Sequence, residues 1–203
     1  IALPIAQAPV GGASTPALAA AVANAGGLGT LSITWRDPAA LPALLRETRA
    51  LTDKPVAVNL VLEWDPEERL RIALAAGFRL LSFFWGDPAP WVEPVKAAGG
   101  AVIHTVASAA EARRAVAAGV DVVVAQGWEA GGHVWGEVST LALTPRVVDA
   151  VGGTVPVLAA GGIADGRGLA AALALGADGV WMGTQFLLAE ESAAHPAWQD
   201  ALL

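Results

Sequence analysis

The chain of 203 residues has no cysteine, which removes disulfides, thiolate zinc sites and a cysteine nucleophile from consideration. That absence fits a reducing compartment, and the cytoplasm is the expected location. Charge is also scarce, at 15% of residues against roughly 25% in an ordinary soluble domain. Lys54 and Lys96 are the only lysines, no basic stripe exists, and the net charge is −7, so a nucleic-acid partner is not expected. The first charged residue is Arg36. The preceding stretch is nonetheless no membrane segment, because Pro4, Pro9, Gly11, Gly12, Pro16, Gly26, Gly27 and Gly29 interrupt it and a span needs about 20 continuous apolar residues.

What is present is apolar and small: 55% of residues are hydrophobic and 23 are glycine. Such a chain has enough apolar surface to fold. Apolar runs without strict alternation, typical of parallel strands buried on both faces, recur at Ile5–Ala8, Leu28–Ser32, Val56–Leu60, Leu80–Trp85, Ala101–Thr105, Asp121–Gln126, Pro156–Ala160 and Gly179–Gly183. Helices are predicted between them at 15–24, 38–51, 66–76, 89–98, 108–118, 144–151 and 165–175. Thr15 can cap the first, with Pro16 in its first turn. Ala76-Gly77, Ala98-Gly99, Ala118-Gly119 and Leu175-Gly176 supply the glycine that ends a helix before a strand.

Eight such units predict an α/β fold, a (β/α)8 TIM barrel formed by residues 1–203 as a single domain. A doubly wound sheet fits less well, because QAPVGG rather than GxGxxG follows the first strand. After the eighth strand only Glu190–Leu203 remain, so the final helix, from Pro196, is expected to be truncated.

Barrels carry their chemistry at the carboxyl ends of the strands. There, Gly161-Gly162 and Gly183-Thr184 follow the seventh and eighth strands, the usual place for a phosphate held by main-chain N–H groups; each pair is otherwise a turn. In AQGWEAGGHVWG, Gln126 offers an amide, Gly131-Gly132 allow close approach of a flat ligand, and His133 is either a general base or an exposed loop residue. Asn59 either ties strand ends together or reads a ligand. His104, inside a strand, reads as packed and His195 as exposed; no metal site is expected.

Five tryptophans, Trp35, Trp64, Trp85, Trp128 and Trp135, fall near post-strand loops and predict an apolar rim, with Trp85, Trp128 and Trp135 as candidate substrate-lining residues. No lysine ends a strand, which removes a Schiff-base aldolase. A phosphate anchor, a flat apolar mouth and one histidine fit flavin mononucleotide (FMN) better than a small sugar phosphate.

At PIAQAPVGG, PALAAAVANAGGLGTL, PVAVNL, AQGWEAGGHVWG, STLALTPRVVDAV, PVLAAGGIADGRGLAAALALGADGVWMGTQF and the ES…HPAW tail, the chain resembles the nitronate monooxygenase family. The resemblance implies an FMN-dependent barrel that oxidises alkyl nitronates with O2 to a carbonyl compound and nitrite. It places Ala8, Pro9 and Val10 along the isoalloxazine, the last where the family usually has methionine. It assigns Asn59, Gln126 and Gly131 to the flavin, Gly162, Gly183 and Thr184 to its phosphate with Trp181 and Met182 alongside, and His133 to catalysis. Related enoyl-acyl-carrier-protein reductases resemble EGMEAGGH where this chain has AQGWEAGGH. An NAD(P)H-dependent reductase of an enoyl thioester or quinone, and a flavin-binding barrel without turnover, are the alternative readings. The expected partners are a small-molecule substrate and O2, with no membrane, and a homodimer is the candidate assembly.

Overall fold

The computed structural model describes residues 1–203. Strands and helices alternate as β1 (Ile5–Gln7), α1 (Pro16–Asn24), β2 (Gly29–Ser32), α2 (Leu41–Leu51), β3 (Val56–Val61), α3 (Glu67–Ala75), β4 (Leu80–Phe84) and α4 (Ala89–Ala97). They continue as β5 (Ala101–Val106), α5 (Ala109–Ala117), β6 (Val122–Gln126), α6 (Thr140–Val151), β7 (Val157–Ala160), α7 (Gly166–Ala174), β8 (Gly179–Met182) and α8 (Pro196–Asp200). The strands form one sheet in the order β1-β8-β7-β6-β5-β4-β3-β2, every pair parallel. This is the (β/α)8 barrel predicted above. No helix is long and apolar enough to cross a membrane.

The seam between β1 and β2 closes differently from the rest. Only two main-chain hydrogen bonds cross it, from Gln7 N to Leu28 O at 2.8 Å and from Leu28 N to Ile5 O at 3.0 Å. The fully buried Gln7 side chain extends the ladder. Its Oε1 accepts from Thr30 N at 2.8 Å, while its Nε2 donates to Ala8 O and to Ser14 Oγ.

Two apolar layers follow from the period-two geometry of strands. Outward residues such as Val58, Leu81, Phe83 and Val123 pack on Leu45, Leu70 and Val95 of the helices. Inward residues are smaller: Ala6, Ala57, Val124 and Ala160 surround Leu28, Ile103 and Trp181. The alanine content serves close packing. A Cβ on Gly29 would overlap the Ala19 main chain, so α1 lies directly against β2.

Most boundaries fall within a residue of the sequence reading, and two differ by more. The predicted helix at 38–51 is a 3-10 turn, Pro38–Ala40, running into α2. The helix predicted to begin at Thr144, ahead of Pro145, begins at Thr140 with Pro145 inside it. Proline normally marks a first turn, but here the helix is anchored from afar. Both Glu129 carboxylate oxygens accept from Thr140 N at 3.0 Å, and Thr140 Oγ1 donates to Ala160 O at 3.0 Å. Leu141, whose carbonyl loses its partner at Pro145, lies on the exposed face.

Candidate active site

The carboxyl ends of the strands and the loops beyond them enclose a cavity of about 940 Å³. Its floor is polar where the barrel interior below is apolar. Ser32, Asn59 and Ser82 stand side by side on β2, β3 and β4, and Thr105 and Gln126 continue the ring on β5 and β6.

One end of the cavity is a cradle of peptide groups. Gly161 and Gly162 leave β7 at φ +113° and +67°, which non-glycine residues rarely adopt. Gly183 and Thr184 leave β8 and start a 3-10 turn, Thr184–Leu188, that the sequence reading did not foresee. The main-chain N–H groups of Gly161, Gly162, Gly183 and Thr184 donate to no acceptor of the protein. Four unpaired main-chain donors thus border one end of the cavity, the kind of backbone arrangement that suits an anion. No lysine or arginine lines the cavity, so an anion here would be held by dipoles alone. Space is kept open by absent side chains: a Cβ on Gly131 would lie 2.7 Å from Thr184 Oγ1. Val10 and Ala8, in the loop that follows β1, wall the cradle, at 3.4 and 3.5 Å from where a Gly183 Cβ would lie.

The middle of the cavity carries an unpaired acceptor. Gln126 Nε2 donates to His133 O at 3.0 Å, but the buried Oε1 has no partner. Leaving such an acceptor unmet costs about 1–3 kcal/mol, which a ligand N–H would relieve. Asn59 ties strand ends together: its Nδ2 donates to Ser82 O at 3.2 Å and reaches Ser82 Oγ at 3.4 Å, while the side chain also borders the cavity.

The far end is aromatic. His133 lines the cavity, its ring stacked on Trp35 at 5.5 Å and 26° and edge-on to Trp85 at 5.0 Å and 77°. Phe84 packs on Trp85 at 4.9 Å and on Trp135 at 5.8 Å, and Trp64 meets Trp35 at 5.7 Å. Trp85 is the one non-glycine residue at positive φ, +56°, a conformation costing about 1–2 kcal/mol.

The three tryptophans expected to line the substrate space do not. Trp35, Phe84 and Trp198 form the wall; Trp85 and Trp135 stand behind it, and Trp128 is 65% exposed on the outer face of its loop. Post-strand position located the rim, but which side of a loop faces inward depends on loop geometry. The other predicted residues do converge: Pro9, Gly132, Trp181 and Met182 border the same cavity as those above. Ser32, Ser82, Phe84 and Thr105 also line the cavity; each falls in a strand-end stretch where the sequence places the site, but the sequence reading assigned them no individual role.

Two histidines lie elsewhere. His104 on β5 is buried, its pKa lowered to about 4 chiefly by burial, against a hydrogen bond to Phe83 main chain and the charge of Asp87. His195 is exposed and caps α8, its Nδ1 accepting from Ala197 N at 3.2 Å.

Comparison with known proteins places this geometry. The family profile described as nitronate monooxygenase matches residues 1–69 and 65–203. A Mycobacterium tuberculosis protein, (3aS,4S,5R,7aS)-5-hydroxy-7a-methyl-1-oxo-octahydro-1H-indene-4-carboxyl-CoA dehydrogenase, is 42% identical over 196 residues, covering 96% of this chain and 55% of its own. The chain thus spans about half of that relative's length. A nitronate monooxygenase of Pseudomonas aeruginosa is 40% identical over 247 aligned positions, covering 98% of this chain and 70% of its own. The solved structure of FabK from Thermotoga maritima superposes with a TM-score of 0.94 at 42% identity, covering 98% of this chain and 64% of that one. By the family match and by its identity to the Pseudomonas enzyme over nearly its whole length, the chain belongs to the nitronate monooxygenase family.

Proposed function

We propose that this barrel binds FMN and oxidises alkyl nitronates with O2 to a carbonyl compound and nitrite. The observation that carries the reading is one cavity joining three features: four unpaired main-chain donors, the unpaired Gln126 Oε1 and a single histidine. The donors suit a phosphate monoester, and Gln126 Oε1 suits a ring N–H of a flavin placed between cradle and histidine. The Pseudomonas aeruginosa relative, named for this activity, supports the assignment.

When bound, the flavin supplies the electron transfer, while the protein contributes position and electrostatics. Gly161, Gly162, Gly183 and Thr184 hold the phosphate; Gln126 and Asn59 orient the ring; Ala8, Pro9 and Val10 wall it. His133 faces the substrate space from the opposite side. A nitronate arrives as an anion and needs no base. A neutral nitroalkane must first lose its α-proton, and the His133 imidazole is the basic group placed to take it.

The similarity to FabK and to the indene-carboxyl-CoA dehydrogenase favours a second reading, a flavin oxidoreductase acting on a thioester, with NAD(P)H as reductant in the reductive direction. One experiment separates them. The purified yellow protein is mixed anaerobically with propionate 3-nitronate, or with NADH, while its visible spectrum is followed. Rapid bleaching or reddening by the nitronate, with little change on NADH, is the expected result. Rapid reduction by NADH would favour the second reading, and a colourless protein unable to take up FMN would overturn both.

A further inference from the structure

We infer that Trp35 and Trp85 are positioning residues that fix the plane of the His133 imidazole over the cavity. The inference rests on the reading of His133 as the base. A histidine that moves protons is commonly oriented by a carboxylate or a carbonyl on its second nitrogen. Here no protein group hydrogen-bonds the His133 ring, and only the main-chain carbonyl of the residue is tied, to Gln126.

The backbone on one side gives no stiffness either, because Gly131 and Gly132 precede it and Gly132 sits at φ +74°. What holds the ring is aromatic. Trp35, just beyond β2, covers one face; Trp85, at the end of β4, meets the ring edge-on. The two clamping rings thus come from the turns that follow two different strands, with the histidine on a loop from a third.

Two details argue against plain core packing. Trp35 is 51% exposed, so its stacking on His133 is not a by-product of burial. Trp85 holds a left-handed backbone that its neighbours enforce. Gly86 follows at φ +61°, in a turn so tight that a Cβ there would come within 2.7 Å of Leu62 Cβ. Strained backbone of this kind persists where the surroundings over-determine it, and it gathers at functional sites. Its effect here is to bring the indole against His133 rather than away from it.

The test uses the flavin-loaded protein and the variants Trp35→Leu, Trp35→Phe and Trp85→Asn; asparagine tolerates positive φ, so the last removes the ring without straining the backbone. A base displaced by about 1 Å can lose on the order of 100-fold. Trp35→Leu and Trp85→Asn are therefore expected to lower the ratio of kcat on neutral nitroethane to kcat on ethylnitronate by about 10-fold or more, with KM little changed. Trp35→Phe should restore most of that ratio.

A second readout needs no turnover. In NMR spectra the His133 ring protons should be shifted upfield by the stacked indole, and Trp35→Leu should abolish the shift. An unshifted ring in the wild-type protein, an equal loss on both substrates, or failure of phenylalanine to rescue would overturn the clamp. If the wild type turns over neither substrate yet the shift is present and lost in Trp35→Leu, the nitronate reading falls and the clamp stands.

Discussion

Two titratable side chains line the cavity, and since the Glu129 carboxylate is tied to Thr140 N, proton chemistry falls to the His133 imidazole. Because a nitronate is already deprotonated, His133→Asn is expected to cut turnover of a neutral nitroalkane by about 100-fold or more, the usual range for loss of a general base, and to affect preformed nitronate far less. Parallel steady-state assays on the two substrates check this, and equal losses would remove the base role. At the other end of the cavity, charge rather than bulk governs. Gly183 has room for a Cβ, with neighbours at ordinary contact distance. Aspartate and asparagine there differ only in charge. Two negative charges about 4 Å apart repel by about 4 kcal/mol at an effective dielectric of 20. Gly183→Asp should therefore bind FMN at least about 100-fold more weakly than Gly183→Asn, read by fluorescence titration of the apoprotein; equal affinity would place the phosphate elsewhere.

Single elements carry consequences of their own. β5 buries His104 in neutral form, with a folded pKa of about 4 against 6.5 unfolded. Between those values the unfolded chain binds the extra proton, so stability is intact above pH 6.5 and is lost as pH falls toward 4. The loss is about 3 kcal/mol when fully developed. Urea midpoints at pH 7 and pH 4.5 should fall less in His104→Gln than in the wild type; an identical drop would show that His104 is not the group responsible. Elements were also where the sequence was most legible. Thr15, Ser108 and Asp165 stand where caps belong, and each accepts from its helix. The start of α6 was not legible, because its anchor is the Glu129 carboxylate ten residues before the cap position rather than the adjacent Ser139, which makes no capping bond. A local pattern cannot encode a partner brought in by a loop. For the same reason the glycines of the cradle could be placed by strand ends alone, whereas Trp85, Trp128 and Trp135 could not be assigned a side.

Across the whole molecule, eight apolar runs sufficed to predict the barrel, but not how it closes. Gln7 falls at a strand end, like the residues of the site, yet it works in the seam. Gln7→Leu keeps much of the volume and leaves Thr30 N–H buried without its acceptor, at a cost of about 1–3 kcal/mol. For a chain of this size that is a fall in Tm of about 2–12 °C. Hydrogen exchange should show Thr30 and its β2 neighbours opening first, and unchanged protection there would mean that the two main-chain bonds close the seam unaided.

The anion cradle has one more consequence. Its donors are peptide groups, present whatever the side chains, so there is no cation to delete and little for added electrolyte to screen. Cofactor retention should therefore survive washing in molar sodium chloride, unlike that of a lysine-lined pocket. It also means that such a site is inherited through the shape of the backbone. Substitutions of the surrounding side chains leave the four donors in place so long as the backbone keeps that shape.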